Sequence, residues 1–526
     1  MTDERIDVPG PAGGSSRPGG IGRTRRLLQG WSANLVQMAL GLSQQLLLIP
    51  AFLHVWSGDM LAAWLAIYAA GSLVVVADAG LQLRAINRFL AFKACADCDG
   101  RTASFYSALL RIYLALVAVL GILLCTAVVL APPSTVLGFH AVPTFDAAML
   151  VMILGMLLTV PANLVSGLYR VHGRYGRTVW LQNAALLIGQ IAQLAALAWF
   201  GSLLAVATAF VSMQLLFAVL LAAFDAPRLF PFLRRAGKPP LASPSLRWSL
   251  GQFSRAVPFA VANATELALV NVPVLLVSAL VTNRVAVAQW GLTRVIASLV
   301  RGLCLQVTLP LAAELGHDHA VGDKDRLRRL YAHGSVFVTG LACLIVAGLL
   351  PFWPDFFALW THGSIPYDAP LTVTLLLGSA AVAPSLLALV FANYSNRGDL
   401  LIRTKGLQLV VFLALAVALI PRLGPLGAAL AVVASDILIQ FGLLALMVMR
   451  QTLHHPFRHI ALLLLMGVGI LASGWLVGQA VTALVPGSGL VHFVVQCAIW
   501  LAVMACAISP LLRARWRQRL LSLIPC

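Results

Sequence analysis

Apolar residues along this chain fall in long runs broken by short polar stretches. Fourteen runs can be traced, near residues 31–53, 60–82, 106–131, 147–169, 178–200, 202–224, 257–280, 288–313, 332–351, 371–393, 402–420, 426–449, 459–482 and 489–510. Most match the 20 or so residues an α-helix needs to cross about 30 Å of hydrocarbon, and the alternating ten-residue strands of a membrane barrel are absent from the sequence. The pattern predicts an all-α polytopic membrane protein of fourteen helices. That count depends on two places: spans five and six are parted only by Gly201 and Ser202, and span seven carries Asn263, Glu266 and Asn271.

Composition supports the same solvent. Of 526 residues, 60% are hydrophobic and 10% charged, whereas a soluble surface calls for roughly 25% charge. Eight cysteines are scattered, and Cys125, Cys304, Cys343, Cys497 and Cys506 sit in apolar runs as small hydrophobes. Cys95 and Cys98 form a lone CxxC with no second ligand pair, so no metal or other cofactor is expected. The first apolar run is too long and too polar at its end for a cleaved signal peptide, which leaves residues 1–30 as a disordered cytosolic tail.

The net charge of +18 becomes intelligible once its distribution is followed. When residues near helix ends are counted with their loops, Lys and Arg gather in the tails and in connections after even-numbered spans. Arg284 and Arg422 alone fall on the other side, and Arg111, Arg294 and Arg301 lie within spans. Basic residues mark cytosolic loops, so a bacterial inner-membrane, multi-pass chain with both termini cytosolic is expected. The charge is then orientation and headgroup contact, and nucleic acid is not an expected partner.

A weak repeat displaced by about 225 residues relates Trp64 to Trp290 and Pro161 to Pro384. Six spans per copy makes the copies parallel, an arrangement that in transporters places substrate between lobes near the midplane. The organisation expected is a tail (1–30), an amino lobe (31–224), a cytosolic linker (225–256), a carboxyl lobe (257–450), two extra helices (451–510) and a basic tail (511–526).

Several stretches then resemble a known group. GWSANLVQMALGLSQQLLLIPAFL and AAWLAIYAAGSLVVVADAGLQLRAINRFLA, the Asp-x-Gly-Leu at Asp78, the LWTHGSIPYDA connector and LGPLGAALAVVASD are similar to polysaccharide flippases of the multidrug, oligosaccharidyl-lipid and polysaccharide exporter superfamily. The resemblance implies a two-lobed, MATE-like carrier that flips undecaprenyl-diphosphate-linked oligosaccharide by alternating access. Its product would feed surface polysaccharide (O-antigen, exopolysaccharide or capsule), and polymerase and other polysaccharide-export proteins would be its partners.

Ionisable groups at membrane depth are costly and therefore mark function or pairing. Arg294 and Arg301 stand seven residues apart on one face of span eight, which suits a diphosphate, because guanidinium binds phosphate through paired hydrogen bonds. Both could equally lock helices through carboxylates. Glu266 and Asp436 are the acids for such pairing, and Glu266 could couple transport to a proton or sodium gradient. Asp78, Arg84, Arg88 and Arg111 gather where a headgroup would first be met, although cytosolic helix ends collect arginine by orientation alone. Asn34, Gln37, Gln44, Gln182, Gln190 and Gln193 suit either a hydrated, sugar-accepting cavity or interhelical hydrogen bonding. The aromatics of the connector 351–370 read as an interfacial belt or a sugar-stacking surface. His317, His319, His454, His455 and His459 read as solvated loop residues.

Two other functions compete. A polymerase, ligase or membrane glycosyltransferase would need a substantial external domain or an acidic pair, and the external connections are short. A drug or cation exporter would require Arg294 and Arg301 both to be neutralised.

Overall fold

A computed structural model of the protein describes residues 32–44, 47–78, 80–94, 101–172, 174–231, 233, 246–395, 397–487 and 489–512. The expected tails 1–30 and 511–526 lie almost wholly outside these residues, as do the CxxC cysteines and the middle of the linker. The described residues are mostly helical, with no strand among them.

Among the described residues, thirteen helices are long and apolar enough to cross a membrane. They are Ser32–Val55, Gly58–Asp78, Thr102–Leu130, Phe145–Val171, Tyr175–Phe200, Leu203–Leu229, Ala260–Leu280, Lys324–Trp360, Ala369–Tyr394, Gly398–Leu423, Pro425–Thr452, Pro456–Leu484 and Leu490–Ala507. The fourteenth expected span is also present, as the 38-residue helix Arg284–Val321. It takes the eighth place and falls outside the thirteen, and it is the helix that carries Arg294 and Arg301. The narrow gap between spans five and six is real: Gly201 ends span five in a left-handed conformation, and Ser202 caps span six by accepting from the Ala205 amide.

Helix enters both ends of the stretch 225–256 expected as linker. Span six stays helical to Leu229, and the helix of span seven already begins at Leu246. The Asp-x-Gly-Leu motif also has a structural job. Gly80 turns the chain at φ 69°, and a β-carbon there would stand 2.8 Å from the Ala256 carbonyl, so only glycine lets this turn lie against span seven. Asp78 then caps the following helix, Leu81–Ala94, by accepting from the Gln82 amide at 3.3 Å.

Span two packs against spans seven and eight, joining the two halves of the chain around Trp64 and Trp290, both buried in one apolar core. Gly291 makes that approach close. A β-carbon there would stand 2.5 Å from Leu65 Cδ1, and Leu65 is itself buried. Gly291→Val should therefore cost about 1–3 kcal/mol by overpacking, read as a lower thermal unfolding midpoint of the purified protein in detergent. An unchanged midpoint would show that this contact gives way freely.

Two sequence expectations are corrected here. The stretch after Pro351 is no exposed connector, because the helix of span nine continues through Pro351 and Pro354 to Trp360. Its aromatics pack on one another, with Trp353 and Phe356 ring centres 5.1 Å apart and Phe357 and Tyr367 5.7 Å apart. Phe352, Trp353, Phe357 and Trp360 are buried, so they form protein core and neither a lipid-facing belt nor a free sugar platform. His459 is likewise no loop residue. It is buried in span thirteen, and its Nε2 lies 2.7 Å from Ser335 Oγ.

Candidate functional site

A cavity opens among spans seven, eight, ten and twelve. The seven-residue spacing on span eight places Arg294 and Arg301 on its wall together, with Ala297 and Ser298 between them. Glu266 and Val270 of span seven and Asp436 of span twelve also line it.

The two arginines differ sharply in their partners. Arg301 donates from Nη2 to Glu266 Oε2 at 2.7 Å and from Nη1 to Asp436 Oδ2 at 3.1 Å. Lys405 enters from span eleven and donates to Glu266 Oε1 at 2.5 Å, to Gln408 Oε1 at 2.8 Å and to Gln440 Oε1 at 2.5 Å. Gln408 Nε2 closes the ring on Asp436 Oδ1 at 2.6 Å, and Gln440 Nε2 donates to Ser385 Oγ of span ten at 2.8 Å. Two cations and two carboxylates thus neutralise each other, with the amides of Gln408 and Gln440 bonded to them and Gln440 held in turn by Ser385. That is the condition under which buried ion pairs are tolerated.

Local winding builds part of this ring. Asp436–Ala445 winds as a π-helix within span twelve, which brings Asp436 and Gln440 onto the network from one wide turn. Such bulges recur at functional sites in helices.

Arg294 is outside the network. One guanidinium nitrogen donates to the Val270 carbonyl, and it reaches Asn271 Oδ1 at 3.5 Å. No acid pairs with it among the described residues, so its positive charge faces the cavity uncompensated.

Asp78, Arg84, Arg88 and Arg111 are not brought into this cavity. Asp78 is buried and accepts from the Tyr113 hydroxyl as well as the Gln82 amide, and none of the described basic residues pairs with it. Arg84 and Arg88 are half-buried on the helix Leu81–Ala94, while Arg111 is exposed on span three.

The amide-rich spans divide into two groups. Asn183 Nδ2 donates to the Ala33 carbonyl and Gln190 Nε2 to the Leu40 carbonyl, each at 2.8 Å, so these two tie span five to span one. Asn34 accepts from Tyr175, and Gln193 bonds back to Gly189. Gln37 and Gln182 instead line a second cavity, in the amino half. Gln44 is half-buried on span one and lines neither cavity.

Sequence reasoning missed Lys405, Gln408 and Gln440. Counted with the cytosolic loop charges in the sequence, Lys405 is fully buried about two turns inside span eleven. The available signal was spacing: Lys405 and Gln408 stand three apart and Asp436 and Gln440 four apart, each pair on one helical face.

No family model matches the chain, and no curated protein matches its sequence. Solved structures do match its fold. The lipid II flippase MurJ in an inward closed conformation superposes with a TM-score of 0.70 at 12% identity, covering 92% of this chain and 99% of that one. An inward-facing multidrug resistance MATE family transporter of the MOP superfamily gives a TM-score of 0.61 at 16% identity, covering 82% and 95%. The Vibrio cholerae MATE transporter VcmN gives 0.53 at 16% identity, covering 82% and 98%. The chain therefore has the helical membrane fold common to these proteins.

Proposed function

We propose that this protein carries an anionic amphiphile, an undecaprenyl-diphosphate-linked oligosaccharide, across the bacterial inner membrane by alternating access, for surface polysaccharide biosynthesis. The observation that carries the proposal is Arg294, a cation at membrane depth with no acid partner among the described residues, on the wall of a cavity. Keeping a charge there costs about 2.5–3.5 kcal/mol even on lenient scales. A diphosphate entering the cavity offsets that cost through charge-assisted bonds, whereas a cationic drug would add to it.

Arg301 plays a different part in this account. Its charge is already balanced, so it holds spans seven, eight and twelve together and shapes the floor beneath Arg294. The likeness to a lipid II flippase supports movement of a lipid-borne headgroup. The short external connections leave little room for a catalytic domain. Both termini are taken as cytosolic, from the distribution of basic residues.

Deleting the gene tests the proposal in cells. One surface glycan should disappear, and its lipid-linked repeat unit should accumulate in the cytosolic leaflet. Accumulation of unpolymerised units outside the cell would point to a polymerase or ligase instead.

A further inference from the structure

The amino-half cavity is chemically unlike the cationic one. It lies among spans one, four, five and six and is lined by Gln37, Asn163, Gln182 and Gln214, with Thr159 and Ser166 beside them and no charged residue. The side-chain amides of Gln37, Asn163, Gln182 and Gln214 have no protein partner among the described residues, although Gln190 of the same span five is bonded to a carbonyl of span one. An amide inside a membrane bundle that forgoes an interhelical bond keeps its donors and acceptor for whatever enters the cavity.

Backbone geometry points to the same place. Span four is not a continuous helix here: it is interrupted by a turn at Val160 and Pro161, where Val160 bonds to Leu157 and Asn163 to Val160 three residues back. Thr159, Ala162 and Asn163 at this break face the cavity. At membrane depth, irregular backbone is tolerated where it is buried in protein or lines a polar cavity. Gln82, beyond the Gly80 turn, donates to the Asn163 carbonyl at 3.0 Å and holds the break in position.

We propose that this cavity is a binding site for a neutral, hydroxyl-rich sugar, separate from the anion site at Arg294. Amides supply a donor and an acceptor at fixed spacing, which matches adjacent hydroxyls, and the absence of charge makes the site indifferent to diphosphate. The inference rests on the proposed glycolipid cargo only for the source of the sugar.

Peptide-resolved thiol labelling of the full-length protein, reconstituted in lipid, tests it. Ala162→Cys and Leu186→Cys, apolar lining positions that leave every amide in place, report on the amide cavity, and Ser298→Cys reports on the cationic one. Soluble chitotriose or maltotriose should slow labelling at Ala162→Cys and Leu186→Cys about fivefold near saturation and leave Ser298→Cys unchanged. Inorganic pyrophosphate should do the reverse.

The sugar site is overturned if neither trisaccharide slows labelling at Ala162→Cys and Leu186→Cys, or if the trisaccharides slow Ser298→Cys equally. Should pyrophosphate fail to protect Ser298→Cys while the sugars still protect the amide cavity, the anion reading fails and the sugar site stands. Gln190→Leu is the control for amides that serve packing: it should lower the unfolding midpoint without altering sugar protection at Ala162→Cys.

Discussion

Arg294→Ala should abolish transport while the protein inserts and folds at the wild-type level. Losing charge-assisted bonds to a diphosphate removes roughly 1.5–3 kcal/mol per interaction, which is about a ten- to hundredfold loss of headgroup affinity. Folding should not suffer, because no carboxylate depends on this guanidinium. The thermal midpoint should stay level or rise, since a desolvated charge is being taken out. Arg294→Lys keeps the charge without the bidentate fork, so export should fall to an intermediate level. Export is followed by surface glycan and by lipid-linked units in the cytosolic leaflet. An Arg294→Ala strain with normal export would remove the residue from the headgroup site.

Arg301→Ala and Lys405→Met should instead act on stability, each by about 3–5 kcal/mol, because either one strands carboxylates in the bundle. Glu266 bridges both cations, at 2.7 Å and 2.5 Å, so it is the residue through which the two sites couple. Lys405→Met combined with Glu266→Gln removes one charge of each sign and should be more stable than Lys405→Met alone. Thermal unfolding of the purified variants in detergent reads this directly. Simple additivity of the two substitutions would contradict a shared network. The expected collapse of Arg301→Ala also means that its loss of export is no evidence of ligand contact, whereas a loss at Arg294 is.

The fold was largely legible because lipid imposes one rule on long segments: apolar runs of helical length must span. The fourteen runs and the thin break at Gly201 follow from that rule. The cavity was half legible. A charge on an apolar helix stands out, so Arg294, Arg301, Glu266 and Asp436 could be found, and helical periodicity put the arginines on one face. Partner assignment was not legible, because it depends on which helices meet. Lys405 has the position of an orientation signal at a helix end, and it is the packing of span eleven against span seven that buries it. The aromatics from Phe352 to Trp360 misled for a related reason: their apolar character is the same whether they face lipid or protein, and the stretch read as a connector is where the helix in fact continues. The amides were ambiguous residue by residue, and contact alone separates Gln190, which ties spans, from Gln182, which faces a cavity.

The central claim is that an uncompensated arginine receives an anionic lipid headgroup during translocation. Liposomes holding the purified protein and a fluorescent polyprenyl-diphosphate disaccharide test it most directly, with an impermeant reagent reporting which label has reached the outer leaflet. Wild-type protein should expose label that began in the inner leaflet, and Arg294→Ala liposomes, carrying equal amounts of folded protein, should expose no more than protein-free ones. Equal movement by Arg294→Ala, or no movement by the wild type, would contradict the account.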